Sequence, residues 1–343
     1  MKTLVTGGAG FLGRYIVEAL QAQGHEVAVL CRGDYAFLRQ QGVRLIQADL
    51  ADRDAVRHAC RGIERVFHVA SKTGPWGRYA DFHRTNVLGT RNLIDGCRAQ
   101  GVHKLIYTSS PSAVIGFDDL CGVNESLPYP VKRISAYQHT KMLAEQMVLA
   151  AHGQDGLVTT ALRPHAIWGP RDTQLLPALI ERHKAGKLIR VGPGRNRISV
   201  SYVENAAWWH LQAADADPDQ AGRRVYFVNE AEPVNMWDWI NGLLTSIGLP
   251  AVERALPYAG AYTLGAACEA LFTLLPWLGE PRLTRAVAAV CAKDHYFDVA
   301  AAQRDLHLSS PVSMDEAHRR FAAYFGQQQT TTKDHTCVLA RPS

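Results

Sequence analysis

Thr6-Gly7-Gly8-Ala9-Gly10-Phe11-Leu12-Gly13 is the stretch on which the fold turns. The apolar run Thr3–Thr6 just before it reads as a buried strand. Phe11 to Gln23 just after it has apolar residues at 12, 15, 16, 19 and 20, a helical period that stops at Gly24. Gly7, Gly10 and Gly13 are spaced GxxGxxG. The first glycine permits a tight turn, and the second lets backbone N–H groups approach a pyrophosphate. The third lets helix and strand pack closely. The helix N-terminus adds partial positive charge for the phosphates. Glycine triplets also occur in ordinary turns. A strand before and a helix after are what specify a dinucleotide loop.

Outward from this loop, short apolar runs alternate with helical patterns. Strands are predicted at 26–30, 43–47, 66–69 and 104–108, and a long helix over 80–99. Such alternation predicts an α/β fold, a doubly wound parallel sheet of Rossmann type. From Arg163-Pro164 the pattern changes. Helical stretches at 175–185, 204–216 and 236–247 mix with short strands at 188–191, 199–203 and 224–228. Residues 1–162 therefore read mainly as a cofactor-binding body. Residues 163–326 read mainly as a smaller α/β substrate lobe, interleaved with the body and sharing the last strand of its sheet. Residues 327–343 lack periodicity and read as a disordered tail.

Composition narrows the function classes. The 343 residues are 47% apolar and 20% charged, so a sizeable core is available. A net charge of +5 without a basic run argues against nucleic acid as a partner. The 7 cysteines include no CxxC, and the 14 histidines form no HExxH or ligand cluster. No metal site is expected, and a reducing, cytoplasmic setting is. The N-terminus has no signal-peptide pattern.

Cofactor choice is read at strand ends. A dinucleotide fold places an acid about 20 residues beyond the loop for the ribose hydroxyls, or an arginine for a 2′-phosphate. Here the second strand ends Val29-Leu30-Cys31-Arg32-Gly33, with no acid at its end. Arg32 points to NADP(H). Asp34 nearby keeps NAD(H) open, and a solvated loop charge is the plainer reading of Arg32. Asp49-Leu50 ends the third strand, where a carboxylate can meet the adenine amino group or cap the next helix.

Tyr137-Gln138-His139-Thr140-Lys141 is YxxxK on one helix face. A lysine one turn from a tyrosine favours the phenolate, and lowers a pKa that is otherwise near 10. Thr108-Ser109-Ser110 ends the fifth strand, at the sheet edge where ligands bind. A hydroxyl there can stabilise charge on a substrate oxygen. The two serines also suit a turn before Pro111.

Together these motifs resemble an extended short-chain dehydrogenase/reductase over residues 1 to about 325. His68-Val69-Ala70-Ser71, Asn86-Val87-Leu88-Gly89-Thr90 and Leu162-Arg163-Pro164 carry the resemblance as well. It implies a catalytic set of Ser110, Tyr137 and Lys141, with Asn86 in the active-site hydrogen-bond network. It also implies that Phe11, Leu12, Leu50, Ala70, Ser71 and Pro164 join the glycines, Tyr137 and Lys141 around the cofactor. Within that superfamily the chain is most similar to the 3β-hydroxysteroid dehydrogenase branch, through Arg163-Pro164-His165-Ala166-Ile167-Trp168-Gly169-Pro170-Arg171-Asp172 and Gln174-Leu175-Leu176-Pro177. Glu125-Ser126-Leu127-Pro128-Tyr129 resembles the sterol-4α-carboxylate 3-dehydrogenases. Cys31–Tyr35, Trp76-Gly77 and the 265–285 stretch resemble the 2-alkyl-3-oxoalkanoate reductases of bacterial olefin synthesis, the favoured expectation. Both classes act on a 3-oxo or 3-hydroxy group β to a carboxylate on a hydrophobic small molecule. A homodimer is expected from the same superfamily.

Two other functions compete with this one. A nucleotide-sugar epimerase or dehydratase needs polar diphosphate contacts in the lobe, which Arg195 and Arg197 offer. A dinucleotide-binding sensor without catalysis does not need an intact Tyr137 and Lys141. Trp76, Tyr79, His165 and Trp168 are candidate substrate contacts, with ordinary packing as their plainer reading. Ala259–Leu278 contains a single charge, Glu269, in twenty residues. It is long enough to span a membrane, but the central acid and Pro276 argue against that. A lid, a peripheral membrane contact through 259–278, and a core helix are the other readings.

Overall fold

The computed structural model describes residues 1–338. Seven parallel strands form the main sheet: β1 (Lys2–Thr6), β2 (Glu26–Cys31), β3 (Arg44–Gln47), β4 (Arg65–His68), β5 (Lys104–Thr108), β6 (Val158–Arg163) and β7 (Arg224–Phe227). Their order is β7-β6-β5-β4-β1-β2-β3. The order reverses between β1 and β4, and the crevice above that switch point is where such sheets bind ligands.

Helix α1 (Phe11–Ala22) follows the glycine loop and buries Leu12, Ile16, Val17 and Leu20 on one face. It packs beside α4 (Val203–Asp215), and the two cover one side of the sheet with Val5, Val29 and Phe67. The other side is covered by α2 (Gly89–Gln100) and α3 (Ala136–Ala150), through Leu93, Ile94, Cys97, Ala144 and Val148 against Leu4, Val66 and Leu105. With both faces covered, the strands are continuous apolar runs, which is why they were legible.

The predicted helix over 80–99 is a composite. It begins as Tyr79–Phe82, passes through a π-helical segment His83–Leu88 and continues as α2. Helical periodicity does not report such a widened turn. Here the Thr90 hydroxyl bonds to the Asn86 carbonyl at 2.6 Å.

The lobe has its own aromatic core, in which Trp168, Trp237, Trp239, Phe321 and Phe325 meet Leu176, Ile198, Leu243 and Leu244. A four-stranded sheet joins Val234–Asn235, Arg197–Ile198, His295–Phe297 and Leu120–Val123. The interleaving runs in both directions. Leu120–Val123 leaves the body to pair with His295–Phe297, whereas α4 and β7 return to the body.

Ala259–Leu278 forms α5 (Tyr258–Leu274) and a 3-10 turn, Pro276–Leu278. Among the described residues no helix is long and apolar enough to cross a membrane. The helix packs on α6 (Arg285–Ala292) through Ala261 and Gly265; a Cβ on Gly265 would lie 2.7 Å from the Thr284 carbonyl carbon. Glu269 faces the protein, where its carboxylate accepts from Arg285 N and Nε, each at 2.7 Å. Leu264, Leu271, Leu274, Trp277 and Leu278 remain exposed, Trp277 by 76%.

The last helix, α7 (Met314–Val338), is anchored by Phe321 and Phe325. It carries on through residues 327–338, which the sequence reading assigned to a disordered tail. Once a helix is nucleated, propagation is easy and needs no amphipathic period. The rest of that tail, 339–343, lies outside the described residues.

Candidate active site

The glycine loop is shaped by contacts only glycine tolerates. Gly7 has φ +71°, and a Cβ there would lie 2.8 Å from Ala70 Cα. A Cβ on Gly13 would lie 2.2 Å from the Gly7 carbonyl oxygen. The loop therefore sits flat against both its own helix and the end of β4, leaving room above its backbone.

That room is part of a cleft of about 490 Å³ running along the carboxyl edge of the sheet. Gly7, Gly10, Phe11, Leu12 and Gly13 form its floor at one end. Arg32, Asp49 and Leu50 line it at the ends of β2 and β3. Ala70 and Ser71 follow β4, and Ser110, Tyr137, Lys141 and Pro164 close the far end. The structure thus gathers every sequence-predicted cofactor residue and three of the four predicted catalytic residues around one cavity. Its length, glycine floor and helix N-terminus fit a nicotinamide dinucleotide laid across the switch point.

The catalytic helix is aimed by its cap. The Ser135 side chain accepts from Gln138 N at 3.0 Å, and the Gln138 side chain accepts from Ile134 N at 3.4 Å. This resembles a capping box, a signal in the sequence that had not been used. It fixes the first turn so that Tyr137 and Lys141 face the cleft. The Tyr137 hydroxyl lies beside Ser110 at the same end of the cleft. The Ser110 hydroxyl also accepts from Ser112 N at 3.1 Å and donates to Ser112 Oγ at 3.0 Å.

Burial raises the Tyr137 phenol above its ordinary range, and the neighbouring Ser110 hydroxyl opposes this only in part. The expectation that Lys141 lowers it is corrected by where the amine points. Lys141 Nζ donates to the Thr108 carbonyl at 2.6 Å and lies 4.4 Å from the Tyr107 ring centre. Burial brings Lys141 itself down to about 7, with Glu145 opposing. Tyr137 is therefore held as a protonated phenol, the form that donates a proton.

Asn86 stands behind the cleft, 2% exposed. Its side chain accepts from Lys72 N at 2.7 Å and donates to Lys72 O at 3.0 Å and to Thr140 Oγ1 at 3.1 Å. It thus ties the loop after β4 to the catalytic helix without facing the reacting atoms. His68, which sequence reading used only as part of a motif, links the same region. Its two ring nitrogens meet Thr6 Oγ1 at 2.8 Å and Thr90 Oγ1 at 2.9 Å, and burial and Lys141 hold its pKa down to about 3.

At the adenosine end, Arg32 is exposed and has no ion-pair partner among the described residues, while Asp34 is paired with Arg39 at 2.8 Å. Asp49 pairs with Arg84 at 3.1 Å and accepts from Ala51 N at 2.9 Å. The next helix is capped by Asp52 instead. Tyr35 joins Arg32 in the wall and was missed, since one aromatic in a loop carries no signal.

The four suggested substrate contacts fare differently. Trp168 is fully buried among Tyr202, Trp239, His318 and Phe321, so it is core and not a contact. Within the strand Ile167–Trp168 successive side chains point to opposite sides, so Ile167 lines the cleft and Trp168 enters the core. His165 turns to the Ser199 carbonyl at 2.9 Å and to Phe297. Tyr79 bonds to His139 Nδ1 at 3.0 Å, and Trp76 is half-buried in the loop after β4. None of these four lines the cleft. The lobe wall is built instead by Asp172, Gln174 and Leu175. Among the described residues none of 259–278 lines it.

That lobe wall is held on two sides. Arg171 makes a bidentate pair with Glu18 at 2.7 and 2.8 Å and lies 3.8 Å from the Tyr15 ring centre, and the Tyr15 hydroxyl donates to Pro170 O at 2.9 Å. Across the cleft, Thr73 Oγ1 donates to Gln174 Oε1 at 2.9 Å.

The family model for the 3-beta hydroxysteroid dehydrogenase/isomerase family matches residues 4–258. A 2-alkyl-3-oxoalkanoate reductase of Stenotrophomonas maltophilia is 41% identical, over 94% of this chain and 99% of the relative. The human sterol-4-alpha-carboxylate 3-dehydrogenase, decarboxylating, is 35% identical over 94% of this chain and 88% of its own. Among solved structures, the UDP-glucuronic acid 4-epimerase of Bacillus cereus in complex with NAD superposes with a TM-score of 0.75 at 21% identity, over 96% of this chain and 99% of the epimerase. The epimerase likeness concerns the fold alone.

Proposed function

The chain belongs to the 3-beta hydroxysteroid dehydrogenase/isomerase family, and from that premise we propose that it is an NADP(H)-dependent reductase of a 2-alkyl-3-oxoalkanoate or a closely similar lipid-like β-keto acid. The observation that carries this reading is the convergence of Ser110, protonated Tyr137 and Lys141 at one end of a dinucleotide cleft, in a chain 41% identical to a reductase of that name.

The chemistry that a bound reduced nicotinamide would supply at this end of the cleft is hydride transfer to the ketone carbon. Tyr137 gives its phenolic proton to the carbonyl oxygen as the C–O bond gains charge, so the ketone becomes the secondary alcohol. Ser110 holds that oxygen by a hydrogen bond that strengthens as charge develops. Lys141, fixed by the Thr108 carbonyl, presents its amine at the same end of the cleft, where it would hold the nicotinamide ribose. Pro164, Ala166 and Leu175 offer an apolar wall for the alkyl body. Reduction also preserves the acid, because a β-keto acid loses CO₂ readily and a β-hydroxy acid does not.

The NADP(H) preference rests on Arg32, free of ion pairs at the adenosine end, with Asp34 drawn to Arg39. The decisive experiment follows absorbance at the nicotinamide band with a 2-alkyl-3-hydroxyalkanoate, a 3β-hydroxysteroid and a UDP-sugar, each with NADP⁺ and NAD⁺. Turnover of the hydroxy acid with NADP⁺ is expected, and turnover of the UDP-sugar alone defeats the proposal. In Arg32→Ser the preference for NADP⁺ should fall by about tenfold or more, the cost of one charge-assisted phosphate contact.

We also propose that the outward flank of α5 meets an anionic lipid surface, from which a lipid-like substrate would enter. Its only acid is paired inward, and Arg182, Lys184 and Lys187 are exposed on the segment that Arg254 ties to the start of α5 through Gly186 O at 3.2 Å.

A further inference from the structure

Directly behind Lys141 lies a buried polar cluster that the proton and hydride transfers above do not use. Glu145 stands one turn beyond Lys141 on α3 and is 0% exposed. Its Oε1 accepts from the Tyr129 hydroxyl at 2.6 Å and from Arg163 Nη2 at 2.5 Å, and its Oε2 accepts from Arg163 Nε at 2.9 Å. The Arg163 guanidinium is itself buried, 5.2 Å from the Phe227 ring centre and 5.8 Å from that of Tyr129. Its Nη1 makes no hydrogen bond within the described protein.

Stability is a weak explanation for this arrangement. A buried ion pair is often no better than a well-packed apolar substitute, because the desolvation cost offsets the attraction. The position of the cluster explains more. It joins three segments that meet at the reacting centre: the catalytic helix, the strand end that leads into Pro164, and the loop that leads into Ser135. Residues four apart share a helix face, so Glu145 and Lys141 lie together in an interior of low dielectric, where charges act strongly on each other. The groups around Lys141 are Tyr107 and Thr108 from β5, His68 from β4, Ser110 and Tyr137 along the cleft, and Glu145 on its own helix, with Arg163 from β6 paired to Glu145 behind them. Within this set Glu145 is the one anion, and His68 is neutral.

We infer that Glu145 is a positioning residue for the reaction: its carboxylate, clamped by Arg163 and Tyr129, keeps Lys141 an ammonium at the reacting centre. This deepens the functional reading and rests on Lys141 facing a nicotinamide cofactor. Burial alone draws Lys141 towards neutrality, and Glu145 is the influence that opposes it. Tyr129 moderates the effect by donating to the carboxylate.

The test reads cofactor binding and needs no substrate. NADPH affinity is measured by fluorescence titration from about pH 6 to about pH 9, the span in which an amine lowered towards neutrality changes charge. In the unaltered protein, affinity should fall through a midpoint as Lys141 loses its proton, and Lys141→Met should abolish that midpoint. Glu145→Gln should lower it by about one pH unit or more. Tyr129→Phe should move it the other way, because a carboxylate with one donor fewer holds the ammonium more strongly. Opposite shifts are a signature that a purely structural role, read separately as a lower Tm, does not produce. Should Glu145→Gln not fold, Tyr129→Phe decides alone. A midpoint unmoved, or both variants shifting it downwards, overturns the inference while the cofactor reading stands. Absence of nicotinamide binding in the unaltered protein at every pH overturns both.

Discussion

The body and the lobe are built by different means. In the body, seven parallel strands are covered on both faces, and every catalytic side chain stands at a strand end or on a helix capped beside one. In the lobe, strand pairs of two or three residues are held by an aromatic core, and α5 rests against α6 by small residues while its other flank faces outwards. The body supplies the cofactor floor and the acid–base groups. The lobe supplies a few wall residues. The contrast teaches that chemistry here depends on backbone placed to fractions of an ångström, whereas the substrate wall depends on side chains that can change.

The comparison breaks most sharply at Tyr137. Tyr137→Phe should lower kcat about a thousandfold, within the usual worth of a positioned acid, while NADPH still binds in a fluorescence titration. Retention of near-normal kcat would remove the body's claim to the chemistry. Next in size is Gly13→Ala, which places a Cβ 2.2 Å from the Gly7 carbonyl oxygen. Because the obstacle is backbone, cofactor affinity should fall by at least tenfold and Tm should drop.

Acid should sharpen the comparison next. His68 and His210 in the body and His295 in the lobe are buried and neutral, with pKa values brought down to about 3, 4 and 3. The unfolded chain takes up protons at these positions below about pH 6.5 and the folded chain does not, so stability falls as pH drops from about 6.5 towards 4. Each histidine contributes up to about 1.4 kcal/mol per pH unit. Urea titrations at several pH values measure the slope, and a flat profile contradicts neutral burial. A smaller effect is expected at Gly242 in the lobe helix 236–246, where a Cβ meets nothing within 4 Å. Gly242→Ala should stabilise by up to about 1 kcal/mol, the reverse of Gly13. Smallest in catalysis is the double change Leu274→Ser with Trp277→Ser. It should leave kcat on a short-chain hydroxy acid unchanged, yet abolish co-sedimentation with vesicles containing phosphatidylserine.

The same contrast explains what the sequence disclosed. The glycine loop, the strand-end serines and YxxxK are local signals, and the cleft brings those residues together. Continuous apolar strands announced most of the sheet as well. The small sheet escaped because Leu120 pairs with His295 across 175 residues of chain, and two-residue strands leave no period to read. Trp168 looked like a contact because it follows the motif ending at Pro164, and only packing reveals that it faces the lobe core. Glu145 and Arg163 gave no warning, since ion pairing across folded segments leaves no spacing in the chain. The Ser135–Gln138 cap, by contrast, was legible and unused.

The Arg171 contact has a kinetic meaning. A bidentate ion pair stacked on Tyr15 fastens the lobe to the outside of α1, and a single neutral bond, Thr73 to Gln174, bridges the other rim. Two rims held so unequally predict that the edge between residues 73 and 174 yields before the one over α1.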